Sequence, residues 1–324
     1  MRSQAFTLAK DITRIVAAGA SFSQVDRLNG SSSTHILSNT LSVFAVAGAF
    51  AAAGQLQQVS NYGTNPTGVQ MWVYRPSGLV ANPALIVAMH YCGGTAQAYF
   101  SGTQYANLAD QLKNFMVIYP SAPNVAGSTC WDVHSTGTLT HNGGGDSIGI
   151  VSQVKYAITN YGVNASRVYM TGTSSGAMMT NVLAGAYPDV FVAGAAFAGV
   201  PYGCFAGASA WNNACANGQT TKTAQEWGNL VRSGYPGYNG TYPKLQIWQG
   251  TADTTLNYHN FAEGVKQWTN VFGYPATGAA QQNSPVNGWT RTTYGPNFQA
   301  ISAQGVDHNI PVQTNDVLTW FGLR

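Results

Sequence analysis

A serine, then a carboxylate, then a histidine, in that order along a chain, can together hydrolyse an ester or amide. The serine hydroxyl is inert near neutral pH until a base takes its proton, and the base needs an acid to orient it. Gly172-Thr173-Ser174-Ser175-Gly176 fits the pattern G-x-S-x-G. In a chain with 37 glycines that pattern is weak by itself. Its setting adds weight, because an apolar run, VYMTG, precedes it and a segment of helical periodicity, AMMTNVLAGAY, follows. A sharp strand-to-helix turn needs small residues around the serine and lifts its hydroxyl above the sheet. The helix N-terminus then directs free N–H groups at a developing oxyanion.

Six acidic residues follow Ser174: Asp189, Glu226, Asp253, Glu263, Asp307 and Asp316. Asp253 stands just past the apolar run LQIWQG, in a short loop. Asp189 reads as a helix end, Glu226 as a helix face, and Asp307 adjoins the candidate histidine too closely to reach its far ring nitrogen. Of the two later histidines, His259 opens a helix and is expected at the surface. His308 follows the run FQAISAQG in a loop before the last helix, so Ser174, Asp253 and His308 form the expected triad. One oxyanion donor is expected from the backbone N–H of Ser175. The second is expected in the loop after ALIVAMH, with Cys92 the chosen amide.

The elements that must position these residues alternate regularly. ALIVAMH (84–90) and FMVIYP (115–120) are nearly continuous apolar runs, as strands buried on both faces are. VYMTG (168–172), FVAGAAFAG (191–199) and LQIWQG (245–250) continue the series, and VQMWVY, from Val69, alternates like an outer strand. Helices are predicted over 106–114, 147–161, 175–187 and 258–272, with a short one near 317–321. The fold class is therefore α/β, a doubly wound, mostly parallel sheet whose site lies at the carboxyl ends of the strands.

At 324 residues, 8% charged and net +3, the chain has no Lys/Arg cluster, which excludes nucleic acid as an expected partner. No H-E-x-x-H, Walker A or Rossmann fingerprint occurs, so neither metal nor nucleotide is implied. Four cysteines and no C-x-x-C fit two disulfides in an oxidising compartment. Three pairings exist on paper; Cys204–Cys215 closes a short loop and leaves Cys92–Cys130. Free thiols in a cytosolic protein are the competing account. The apolar run LSVFAVAGAFAAA (41–53) reads as a signal segment preceded by an extension, so residues 1–54 are set apart from a catalytic domain over 55–324. Sequons at Asn164 and Asn239 are compatible with glycosylation. Trp131 and Trp211 sit in loops leaving strand ends, where an indole can stack on a sugar or aromatic ring or simply pack into the core.

Several longer segments carry a family resemblance: N-P-T-G-V-Q-M, H-Y-C-G-G, C-W-D-V, L-T-H-N-G-G-G-D-S, T-G-T-S-S-G-A-M-M-T-N-V, G-C-F and W-F-G-L. From about Gln55 to the last residue the chain resembles fungal acetylxylan esterases of carbohydrate esterase family one, relatives of feruloyl esterases and poly(3-hydroxybutyrate) depolymerases. The resemblance implies an α/β-hydrolase fold, secretion, no cofactor and removal of acetyl groups from xylan. It implies the same triad, and places Trp211 at an aromatic position of the family. The extension before Leu41 departs from the family pattern, and no cellulose-binding module is expected. The chain is expected to act as a monomer, with no membrane attachment once a signal is removed. Feruloyl ester hydrolysis is the rival activity, and a non-catalytic wall-binding protein the rival class.

Overall fold

Along the strand Ala84–Met89, side chains alternate between two separate cores. Leu85, Val87 and Met89 enter one, Ala84, Ile86 and Ala88 the other. A run apolar at every position is thus what a strand covered on both faces requires. In the computed structural model of the protein, the described residues are 53–125 and 127–324. They form part of one compact unit, Gly48–Arg324. The predicted extension, and the signal run as far as Ala52, lie outside the described residues.

In chain order the elements are β1 (Leu56–Val59), β2 (Gln70–Tyr74), β3 (Ala84–Met89), α1 (Ala96–Gly102), α2 (Tyr105–Leu112), β4 (Phe115–Ser121), α3 (Thr136–Leu139) and α4 (Gly145–Tyr161). Next come β5 (Val168–Thr173), α5 (Ser175–Ala186), β6 (Ala193–Phe197), α6 (Asn213–Ala216), α7 (Ala224–Gly234) and β7 (Lys244–Gly250). The chain closes with α8 (His259–Phe272), β8 (Ala279–Gln282), β9 (Trp289–Gly295), β10 (Phe298–Ala303) and α9 (Thr314–Trp320). Among the described residues one sheet contains all ten strands, in the order β1-β2-β4-β3-β5-β6-β7-β10-β9-β8. The six from β4 to β10 run parallel, and the pairs at either margin are antiparallel. Buried residues of α4, α5, α7 and α8 belong to the first core, those of α1, α2 and α9 to the second. The sheet is doubly wound, of the α/β-hydrolase type.

The segment read as an outer strand, β2, is not at the edge: β1 pairs with it outside. β1 is Leu-Gln-Gln-Val, too short and polar to announce itself. The β8–β9 hairpin also went unpredicted, because β8 is exposed at all four positions. Helix α7 carries a capping box, with Thr223 and Glu226 satisfying each other's backbone N–H groups. Among the described residues no helix is long and apolar enough to cross a membrane.

Candidate active site

Strand β5 and helix α5 meet at Ser174, whose φ of 55° and ψ of −117° lie outside the ordinary regions for a side-chain-bearing residue. This strain is tolerated because the neighbours over-determine the turn. A Cβ on Gly172 would stand 2.4 Å from the backbone of Gly176, and one on Gly176 would stand 2.3 Å from the Met89 carbonyl oxygen. Both positions therefore require glycine. The Ser174 N–H donates to the Phe197 carbonyl at 2.8 Å, and the Tyr99 and Thr173 hydroxyls share a hydrogen bond of 2.9 Å one residue earlier.

Strands β7 and β10 deliver the partners. They are parallel neighbours in register, Gly250 beside Ala303, so the loops leaving them emerge at one level. Backbone bonds tie those loops together, Thr251 N–H to Ala303 O at 3.0 Å and Ala252 N–H to Val306 O at 2.9 Å. Gly250 permits this, since a Cβ there would meet the Val306 oxygen at 2.2 Å. The result sets Asp253 Oδ2 2.8 Å from His308 Nδ1, and His308 Nε2 2.8 Å from Ser174 Oγ. Asp253 is buried, and the N–H groups of Thr255 and Leu256 donate to its Oδ1, each at 2.9 Å. Gln249 Nε2 donates to Asp253 Oδ2 at 2.7 Å and to the Leu256 carbonyl at 3.0 Å. A carboxylate so furnished with donors is held in one orientation. It directs the Nδ1–H of His308 toward itself and leaves the Nε2 lone pair for the serine proton.

Ser175 is the first residue of α5, so its N–H has no acceptor within the helix. It lines a cleft of ≈ 760 Å³ together with Ser174 and Cys92. The loop bearing Cys92 is held from several sides. Cys92 is bonded to Cys130, the Thr129 hydroxyl donates to the Gly94 carbonyl at 2.8 Å, and the Trp131 indole N–H donates to the His90 carbonyl at 2.8 Å. His90 itself is fully buried. Its Nδ1–H donates to the Tyr91 carbonyl at 2.7 Å and its Nε2 accepts the Ala122 N–H at 3.0 Å, which fixes the neutral tautomer. Burial holds its pKa down to about 4.

The second disulfide joins Cys204 to Cys215 and closes the loop that carries Trp211. Both tryptophans border the cleft, but differently. Trp211 is 47% exposed, while Trp131 is 3% exposed and packed against His90, so its indole braces the loop instead of offering a face. His259 is exposed and lies 3.1 Å from buried Glu263, away from the triad. Asp189 faces His141, Asp307 caps the Asn309 N–H, and Asp316 pairs with Arg291. Asn239 is exposed and Asn164 half-buried, its side-chain oxygen accepting from Ser166. Among the described residues no group of three or more His, Cys, Asp or Glu is arranged to hold a metal.

Sequence reasoning passed over His90, Gln249, His134 and Asp146. Gln249 had a signal: with Gln246 it is one of two amides in the buried strand β7, and a buried amide must have a partner.

The elbow at Ser174 and its partners at the ends of β7 and β10 have the geometry of a Ser–His–Asp triad on an α/β-hydrolase sheet. A family model described as "Esterase PHB depolymerase" matches residues 70–282, and the chain belongs to this family of carboxylic ester hydrolases. Acetylxylan esterase A of Emericella nidulans is 51% identical over 275 residues, spanning 83% of this chain and 90% of the relative. Feruloyl esterase B of Talaromyces funiculosus is 50% identical over 278 residues, spanning 84% and 78%. Among solved structures, an acetyl xylan esterase from Aspergillus awamori superposes with a TM-score of 0.81 at 43% identity, covering 84% of this chain and all of that one.

Proposed function

We propose that this chain is a secreted serine esterase that removes O-acetyl groups from xylan through an acyl-enzyme, the Ser174–His308–Asp253 relay with its two 2.8 Å contacts carrying that reading. His308 Nε2 takes the Ser174 proton as the hydroxyl oxygen attacks the acetyl carbonyl. Asp253 stabilises the imidazolium that forms. The tetrahedral oxyanion lies against the amides of Ser175 and Cys92. Each such donor contributes about a hundred- to a thousandfold in rate. His308 then protonates the departing sugar oxygen, and a water activated by the same imidazole releases acetate from Ser174.

Relatives named as acetylxylan esterases at about half identity support the substrate class. Two disulfides support secretion into an oxidising compartment. The reading includes a monomer acting on acetylated xylan and glycosylation at Asn239, the more exposed sequon. Ser174→Ala tests it: acetate release from acetylated xylan should disappear while the circular dichroism spectrum and melting temperature stay unchanged. Near-full activity in that variant would refute it. A second reading, feruloyl ester hydrolysis, draws on the size of the cleft and on the feruloyl esterase relative. Comparing kcat/KM on acetylated xylan and methyl ferulate separates the two. Labelling by an active-site phosphonate separates either from a non-catalytic wall-binding protein.

A further inference from the structure

An acetyl group occupies a small part of a ≈ 760 Å³ cleft, so most of the space is left for the alcohol portion of the ester. Much of the wall is apolar, but Asp132, His134, Asp146 and Thr67 form a polar stretch of it. In a chain with only 11 acidic residues, two carboxylates beside the cleft in addition to Asp253 need a reason.

Asp132 has one within its own loop. Its Oδ1 accepts from the N–H groups of His134 and Ser135, at 3.2 and 3.0 Å, and its Oδ2 from the Ser135 hydroxyl. His134 likewise spends its Nδ1–H on the Gly207 carbonyl at 3.0 Å. Asp146 is different. Its Oδ2 accepts the Asp132 N–H at 2.9 Å, but its Oδ1 has no hydrogen-bond partner although the residue is only 1% exposed. An unsatisfied buried acceptor of this kind is destabilising, more so for a charged group. The first turn of α4 favours a carboxylate there but supplies no donor to Oδ1. Burial pushes the carboxyl pKa up; the Asp132 N–H and the nearby Thr67 hydroxyl act the other way, the latter without reaching bonding geometry to Oδ1.

The same cleft offers an exposed indole, Trp211, whose N–H is engaged by Asn213 Oδ1 at 2.9 Å, leaving the ring face for contact. An unpartnered acceptor and an aromatic face lining one cleft suit a pyranose, which has an apolar C–H face and a rim of hydroxyl donors. We propose that the Asp146–Thr67 wall is a sugar subsite, in which Asp146 Oδ1 accepts a hydroxyl of a xylosyl residue and the exposed Thr67 hydroxyl meets a second. This rests on the reading of xylan as substrate and names the groups that would select it.

The probe is unacetylated xylotriose, used as a competitive inhibitor of 4-nitrophenyl acetate hydrolysis. In Asp146→Asn the amide oxygen must turn to the Asp132 N–H, which presents an NH₂ donor where the acceptor stood. Its inhibition constant should rise about tenfold. Thr67→Val, a change at an exposed position that leaves folding intact, should raise it about threefold. The ratio of kcat/KM on acetylated xylotriose to that on 4-nitrophenyl acetate should fall in parallel. Unchanged inhibition constants in both variants, or no inhibition of the unaltered protein, overturn the subsite. Inhibition by xylotriose, weakened in the variants, in a protein that releases no acetate from acetylated xylan would instead refute the substrate reading and leave the sugar subsite standing.

Discussion

Two loops border the cleft and each is held by a disulfide, yet their surroundings differ. The loop from His90 to Gly94 is tied through Cys92–Cys130, Thr129, Trp131 and the buried His90 ring to the body of the fold. The loop between Cys204 and Cys215 is exposed at every position from 206 to 211. Its links to the neighbouring loop run through His134 and Gly207, at 3.0 and 3.1 Å. In the proposed reaction one wall would hold an amide to within a fraction of an ångström of a developing charge. The other would meet a polymer chain, for which a broad contact surface suffices. Rigidity is concentrated where the reaction demands it.

The largest expected effect tests the fixed side directly. Asp253→Asn would keep the shape of the site while placing an amide against His308 Nδ1 and favouring the wrong tautomer. A fall in kcat of about 10⁴-fold is expected, with KM little altered. A loss under tenfold would mean that the buried donors around Asp253 do not serve to orient the histidine. The two disulfides come next. With the bridged residues 38 apart, replacing Cys92 and Cys130 by Ala should cost about 4 kcal/mol of stability and lower kcat. Replacing Cys204 and Cys215, 11 apart, should cost about 3 kcal/mol and act mainly on KM for polymeric substrate. Thermal melts with kinetics on both variants would expose any exchange of those roles.

His90 gives the contrast a pH dependence. The native state holds the imidazole neutral down to about 4, whereas an unfolded histidine takes a proton near 6.5. Below that value the unfolded chain therefore binds a proton that the native chain refuses. Stability falls as the pH drops from about 6.5 to about 4 and this contribution levels off below, a total on the order of 3 kcal/mol. His90→Gln, which keeps a donor for the Tyr91 carbonyl, should flatten that part of the stability profile. A slope identical to that of the unaltered protein would assign the acid sensitivity elsewhere.

The strands β3 to β7 were legible because burial on both faces leaves an apolar run that few other structures produce. The elbow was legible because its glycines and helix follow such a run. Order and strand-end position pointed to Asp253 and His308, which the structure brings into hydrogen-bond contact with each other and with Ser174. The bracing groups were hidden for a physical reason. His90, Trp131 and Gln249 act through contacts with backbone groups or side chains that only the packed loops bring near, so Trp131 reads equally as a cleft indole or a core one, and the amide of Gln249 signals a need for a partner without naming it. β1 and β8 were missed because a short polar strand at a sheet margin is defined by its neighbour, with little contribution from its own pattern.

The smallest effect belongs to the exposed wall. Trp211 stands 47% exposed, its indole edge held by Asn213 and its ring packed edge-on by Phe205 at 5.3 Å. Aromatic contact with a sugar or phenolic ring contributes about 1–2 kcal/mol, so Trp211→Ala should raise KM on acetylated xylan about five- to thirtyfold. Because the indole makes no hydrogen bond to the triad, kcat on 4-nitrophenyl acetate should stay within about twofold, less than one RT of barrier. A comparable loss of kcat on the small ester would show that the exposed loop communicates with the reacting atoms. The separation between a fixed catalytic wall and an adaptable substrate wall would then fail at the residue best placed to display it.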